Sequence, residues 1–583
     1  MIVPEKATSG FGEQVGTVLS SPSTHEASCQ LLESAERGGI REGMMLVITT
    51  DGGAKKILCR VAEIIPYHAF YAEGAAWSEA IRKKLPLPEG VARQYEVCKL
   101  DILMEIPGAK EVNIPPHPAD PVYRIDPEKQ VEEIFAVKKD AKGIIWYGTL
   151  AGYEKAPVPL DVESIPMHVA VFGITGRGKS FDMGVLIERL CSIPTGKPNF
   201  YVSFPMIMVD AHGDYVNYAP YLDERLKQQA PQKTKTKSTP KPSINPLGAV
   251  TTITRYVFPE CHRTLESKEK EYTEQIAIDL NELSDRDLAE LVVTYYKGQI
   301  GPEQELQISG IESSFSTLRG LGYPWGEDKH QIFTNDEYFR QFRDHINARE
   351  DIHFTTRRAI LAALDKFRKV DEDFHIFSET SPLKSNRFID DLTSHGSIAI
   401  IDFSADGAPG VDLPEKQLVV SYLATVLFKK FTGYRIQKKP RFLLFAIEES
   451  QNFCPSSTYP VAASIAKNKL SAIATQGRKF GLSLCLISQR PSFVDPVILS
   501  MCNSFFIHGI SPEDVGFVKS VTGGLPPALG SRLTRLEQGE LIVTGQMCRV
   551  PFPVVLKVRR EERIVEHPTG KTDVVDRLAH LRE

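Results

Sequence analysis

The chain has nine cysteines in 583 residues and no C-x-x-C pair among them, which removes the usual signatures of structural zinc sites and dithiol redox motifs. Several of the nine lie inside apolar runs such as 482–487, the setting of reduced, buried thiols. Charge of neither sign is in excess: 69 basic and 74 acidic residues leave −5. Bulk charge therefore gives no support to a nucleic-acid binder, although a local stripe or an internal channel can sit inside a mildly acidic total. Long hydrophobic runs are absent too, since the longest nearly apolar stretch, 418–428, is too short to cross a bilayer. The opening residues 1–6 lack the charged and apolar stretches of a signal peptide. The expectation is a soluble cytoplasmic protein that does not engage a membrane.

What is present is ordinary globular material, 42% hydrophobic and 25% charged, in a chain long enough for about three to five domain-sized units. Between residues 11 and 150, short β-rich runs (14–19, 44–50, 56–65, 97–106, 144–150) alternate with Gly and Pro, which predicts a small β-barrel or sandwich. No metal-spaced cluster of His, Cys and carboxylates interrupts it, so it reads as an assembly or docking domain. Beyond residue 160 the pattern changes to apolar runs at 168–172, 206–209, 397–401, 442–447, 483–487 and 504–508, separated by helical segments. Runs of that kind predict a largely parallel sheet covered on both faces. The stretch 216–387 shows no comparable strand runs and carries helix-like segments at 271–283, 285–297 and 356–367, so it is expected to be an inserted helical subdomain. A polar tract, 228–245, bears Lys233, Lys235, Lys237 and Lys241 and reads as a solvated loop. A hairpin is expected at 540–544 with 554–558, followed by a charged tail.

The strongest motif is Gly173-Ile174-Thr175-Gly176-Arg177-Gly178-Lys179-Ser180, the pattern G-x-x-x-x-G-K-[S/T], with an apolar run before it and a helix-like run from Phe181 after it. Glycines let successive N–H groups turn inward onto phosphate oxygens, and the following helix adds its positive end. Gly173, Thr175, Gly176, Arg177, Gly178 and Phe181 are thus candidates for cradling nucleotide. Lys179 would reach the β and γ phosphates, and Ser180 would join the shell of Mg²⁺. By contrast, Gly570-Lys571-Thr572 has Val565 where the first glycine belongs and no strand before it.

Hydrolysis also needs a metal-facing acid and a group that orients water. Glu448 and Glu449 follow the apolar run 442–447 and fit those roles, Glu448 in the metal shell and Glu449 on the water. Asp210 closes the neighbouring run in the string Asp210-Ala211-His212-Gly213-Asp214-Tyr215, where simple turn chemistry is the competing explanation. Gln489, after the run 483–487, stands where an amide would sense the γ-phosphate. Arg478, ahead of that run, is placed to serve a neighbouring subunit as an arginine finger.

This ordered set, with Glu448-Glu449-Ser450-Gln451-Asn452-Phe453, Gly477 to Gly481 and Ser488-Gln489-Arg490-Pro491-Ser492, resembles the HerA family of the FtsK and HerA division of RecA-like motors. The resemblance covers roughly residues 140–560. It implies a RecA-like α/β P-loop core (156–215 and 388–560), the helical insertion 216–387, an N-terminal HAS-type barrel (1–155) and a tail (561–583). It further implies a homohexameric ring that uses ATP and Mg²⁺ on double-stranded DNA, with a NurA-like nuclease or another defence effector docked on the barrel. Lys467 and Lys469 are candidates for the DNA channel. Two other roles remain open: a ring that scaffolds and regulates an effector, and a secretion coupling ATPase, which would normally carry a membrane anchor.

Overall fold

The computed structural model describes residues 11–568 apart from 36–38, 69–81, 85–93, 126, 139, 230–246, 299–300, 324–327 and 460–463. The lysines of the polar tract and the Gly570-Lys571-Thr572 triplet therefore lie outside the described residues. The chain divides into two compact units, Met1–Asp161 with Leu525–Arg559, and Val162–Gly524 with Arg560–Glu583.

In the first unit, six strands close into an antiparallel barrel in the order β1-β2-β5-β4-β3-β6, where β1 is Gln14–Val18, β2 Glu26–Leu31, β3 Met45–Thr50, β4 Lys55–Tyr67, β5 Tyr95–Ile106 and β6 Pro121–Arg124. Inward residues including Val15, Cys29, Leu46, Ile48, Ile57, Cys59 and Cys98 fill the interior. Gly16 is required where β1 crosses β2, because a Cβ there would lie 2.3 Å from the Cys29 sulfur. Four of the expected runs are barrel strands, and β2 and β6 are additional. The run 144–150 is not one of them: as β7 (Ile144–Leu150) it pairs antiparallel with β8 (Pro157–Asp161) and with Val554–Lys557. The hairpin Glu540–Gly545 with Val554–Lys557, expected in the core, thus belongs to the barrel's unit.

The second unit is built on eight parallel strands in the order β14-β13-β15-β12-β16-β17-β9-β18. These are β9 Val169–Phe172, β12 Met206–Asp210, β13 Ile253–Val257, β14 Thr273–Gln275, β15 Ile398–Asp402, β16 Leu443–Ile447, β17 Leu482–Ser488 and β18 Ser504–Ile507; β10 (Ile193–Pro194) and β11 (Tyr201–Val202) form a separate small pair. Every residue of β9, β12, β15, β16, β17 and β18 is buried, which is why those strands read as unbroken apolar runs rather than as alternation. His168, just before β9, is buried with φ +64°. Its Nδ1 accepts from the Leu484 amide at 2.9 Å while Nε2 donates to the Ala474 carbonyl at 3.0 Å, tying β9 to β17 and to the helix Lys467–Gln476.

The insertion departs from its expected character. Residues 216–387 supply β13 and β14, which extend the sheet, and 271–283 is made of short 3-10 turns and β14 instead of a helix. β13, with the pattern Ile-Thr-Arg-Tyr-Val, is only partly buried at its polar positions, so it lacks the apolar run that marks the central strands. Helices Asp285–Lys297, Pro302–Gly320, Asp336–Ala348 and Phe354–Phe374 then form the helical part, around Phe333, Phe342, Phe367 and Phe377, all within 1% of complete burial. Among the described residues, no helix is long and apolar enough to cross a membrane.

Candidate nucleotide-hydrolysis site

Parallel registers bring the carboxyl ends of four central strands level: Val209 pairs with Ile447, Ile447 with Leu486, and Ser488 with Phe172. Whatever follows those residues in sequence is delivered to one edge of the sheet, the usual place for ligands in open α/β folds. The motif residues 173–180 follow β9. Gly173 donates its amide to the Ser488 carbonyl at 3.2 Å, and a Cβ at Gly173 would stand 2.7 Å from the Cβ of His508, so the first glycine is dictated by close approach. Gly176 (φ +80°) and Gly178 (φ +96°) are dictated by the left-handed turn. The helix Lys179–Leu190 starts directly from Gly178 with no side-chain cap, which leaves its first amides free for an anion.

Glu448 and Glu449 follow β16. Glu448 is fully buried; its Oε1 accepts from the Ser180 hydroxyl at 3.3 Å and from the Tyr215 hydroxyl at 3.5 Å, and its Oε2 accepts from the Ala211 amide at 3.1 Å. Burial, then the charge of Asp214, pushes its carboxyl above the usual range, with Lys179 and His212 opposing. A hydroxyl and a carboxylate at this spacing are hard oxygen donors that fit Mg²⁺, which keeps several waters and takes one or two protein ligands. The divalent charge would also favour the ionised form of Glu448.

Glu449 adopts φ +48°, ψ +45°, a left-handed conformation that costs roughly 1 kcal/mol outside glycine. The turn aims its carboxylate into a ring of donors. Lys179 Nζ lies 3.6 Å from Oε1, the His212 Nε2 lies 3.4 Å from it, and the Gln451 and Gln489 amides both donate to the carboxylate. Burial alone would raise its pKa, but the His212 hydrogen bond, the Lys179 charge and the two amides hold it down at about 2. The group is therefore an anion at neutral pH, as a base that polarises water must be.

Gln489 also accepts from the Thr175 hydroxyl at 2.5 Å, so one amide touches both the phosphate loop and the acid. Lys179, Ser180, Glu448, Glu449, Gln489 and Thr175 are thus gathered at one place. Arg478 is not among them. It is exposed in the short turn Gly477–Phe480, at the amino end of β17, seven residues of strand or about 20 Å from the carboxyl edge. Lys467 and Lys469 are engaged elsewhere: Lys467 pairs with Asp495 at 2.7 Å, and Lys469 with Asp287 and Glu290 at 3.1 Å each. Neither is presented as a free cation for a phosphate backbone.

His212, Tyr215 and Gln451 act here without having been assigned roles from sequence. Asp210 explains how the first two are held: its carboxylate accepts from the amides of His212 (3.3 Å), Gly213 (2.7 Å), Asp214 (3.0 Å) and Tyr215 (2.9 Å). The turn chemistry is real, and its effect is to fix the loop that presents His212 to Glu449 and Tyr215 to Glu448. The string Asp210 to Tyr215 was a visible signal for this; its partners across the sheet were not.

Comparison with known proteins supports the same reading of the core. Residues 145–426 match the family described as helicase HerA, central domain. The DNA double-strand break repair helicase HerA of Saccharolobus solfataricus is 24% identical over 449 residues, spanning 76% of this chain and 73% of the relative. That of Sulfurisphaera tokodaii is 22% identical and spans 94% and 93%. In its core the chain is similar to the HerA helicase family. Among solved structures, VirB4 of Thermoanaerobacter pseudethanolicus overlays with a TM-score of 0.43 at 11% identity, covering 73% of this chain and 98% of VirB4. The HerA match begins within β7 and ends inside the helix Leu413–Ile436, so Glu448, Glu449, Arg478 and Gln489 lie beyond it, and their assignment rests on the geometry above.

Proposed function

We propose that this chain is an ATP-dependent motor on double-stranded DNA, acting as a homomeric ring with ATP and Mg²⁺ bound at the carboxyl edge of the sheet. The observation that carries the proposal is the convergence of Lys179, Ser180, Glu448, Glu449 and Gln489 within one hydrogen-bonded cluster. With nucleotide bound, Lys179 would leave Glu449 for the β and γ phosphates, Ser180 and Glu448 would hold Mg²⁺, which would supply charge stabilisation, and the freed Glu449 carboxylate would orient the attacking water. Gln489, bridging Thr175 and Glu449, reports the presence of the γ-phosphate to β17. Arg478 lies too far from this cluster to serve it, which supports its use by an adjacent subunit.

DNA as the substrate is supported by relatives named as double-strand break repair helicases, and the same names support an effector that works on DNA ends, such as a nuclease, with the barrel unit as its docking domain. Steady-state ATP hydrolysis with and without duplex DNA tests the proposal. The wild-type chain is expected to hydrolyse ATP faster when duplex is added, and Lys179→Ala is expected to bind no nucleotide and show no turnover. Normal turnover by Lys179→Ala refutes it.

A further inference from the structure

A buried arginine from the far end of the chain sits beneath the phosphate loop. Arg563, 7% exposed, donates from Nη1 to the Ser180 carbonyl at 3.2 Å and from Nη2 to the Asp214 carbonyl at 3.1 Å. Its guanidinium lies 5.6 Å from the ring centre of Phe181 and 5.5 Å from that of Tyr218. The segment around it is fastened at several points. Glu188, on the phosphate-loop helix, accepts from the Ile564 and Val565 amides at 2.9–3.1 Å; Asn217 donates to the Glu566 carbonyl at 3.0 Å; and His567 lies 3.6 Å from Asp214.

The helix itself is shaped to this guest. Gly184 stands in the middle of Lys179–Leu190, where glycine costs about 1 kcal/mol relative to alanine. A Cβ at that position would lie 2.6 Å from Arg563 Cζ. The glycine makes room for the guanidinium.

We infer that Arg563 is a positioning residue for the nucleotide site, which locks the first turn of the phosphate-loop helix to the loop Asp210–Tyr215 and thereby sets where the Ser180 hydroxyl meets the metal–nucleotide complex. A planar fork satisfies two carbonyls at once, which a lysine cannot reproduce. The two loops it joins are those that carry Ser180 and the Asp214–Tyr215 end of the Glu448 shell. The water-orienting groups Glu449 and Gln489 stand on other strands. Loosening Arg563 should therefore weaken nucleotide binding and spare the chemical step.

The inference rests on the ATPase reading above, and the experiment separates the two. Arg563→Lys, Gly184→Ala, Glu562→Ala and Lys179→Ala are compared in the full-length chain for KM of Mg·ATP, kcat and melting temperature. Arg563→Lys and Gly184→Ala are expected to raise KM about tenfold with kcat within about twofold. Gly184→Ala is the sharper variant, because its Cβ would meet the guanidinium, and a purely structural role then predicts a lower melting temperature with KM left alone. Glu562→Ala removes the pair with Arg189 at 3.6 Å and should leave KM unchanged. If Arg563→Lys does not fold, Gly184→Ala decides. Wild-type KM in Gly184→Ala or in folded Arg563→Lys overturns the inference, whereas turnover by Lys179→Ala overturns the ATPase reading instead.

Discussion

At the scale of single residues, the site is a set of polar groups neutralised by one another. Lys179 and Glu449, the two charges that hydrolysis needs, face each other at 3.6 Å with both side chains less than a tenth exposed. In the proposed mechanism a γ-phosphate would compete for the lysine and so release the acid. His168 shows the opposite use of a titratable group: it is buried for structure, and burial, opposed by its hydrogen bond to the Ala474 carbonyl, lowers its pKa from 6.5 to about 4. The folded state thus favours the neutral ring, and the unfolded chain binds the proton first. The stabilisation is complete above pH 6.5 and is lost as pH falls toward 4, about 3 kcal/mol over that window. His168→Gln is accordingly expected to lower stability at neutral pH yet to show a smaller drop in melting temperature between about pH 7 and about pH 5, measured by calorimetry. An equal drop in both proteins would show that His168 does not titrate on unfolding.

At the scale of elements, what was legible in the sequence is what is local. The strand, glycine turn and helix around Lys179 are contiguous, and the fully buried strands announce themselves as apolar runs. The acid pair Glu448-Glu449 and Gln489 were legible because each directly follows such a run. β13 and β14 were not, since short strands with polar positions at the end of a sheet look like loops. The hairpin Glu540–Gly545 with Val554–Lys557 was visible as a hairpin, while its membership of the barrel's unit depends on pairing with β7. Arg563 was hidden altogether, because its partner Ser180 is 383 residues away and no local pattern marks it. Element placement also yields a prediction for Arg478. It stands at the amino end of β17 and the site at the carboxyl end, so Arg478→Ala and Glu449→Gln should each be inactive alone and partly active when mixed, because mixed rings pair an intact acid with an intact finger. Full activity of Arg478→Ala, or no recovery on mixing under conditions where subunits exchange, would rule out a finger supplied in trans.

At the scale of the whole molecule, a net charge of −5 does not oppose a DNA motor. In a ring, the potential that meets the duplex is that of the channel, and a few cations per subunit are multiplied by the number of subunits. Lys467 and Lys469 are paired with Asp495, Asp287 and Glu290. The role proposed for Glu449 is narrower than the ring: its carboxylate orients the water that attacks bound ATP. The direct test is ATP binding and ATP turnover by full-length Glu449→Gln beside the wild type, with Mg²⁺ and duplex DNA present. The account predicts binding close to wild type with turnover reduced by about 100-fold or more; turnover near the wild-type rate would contradict it.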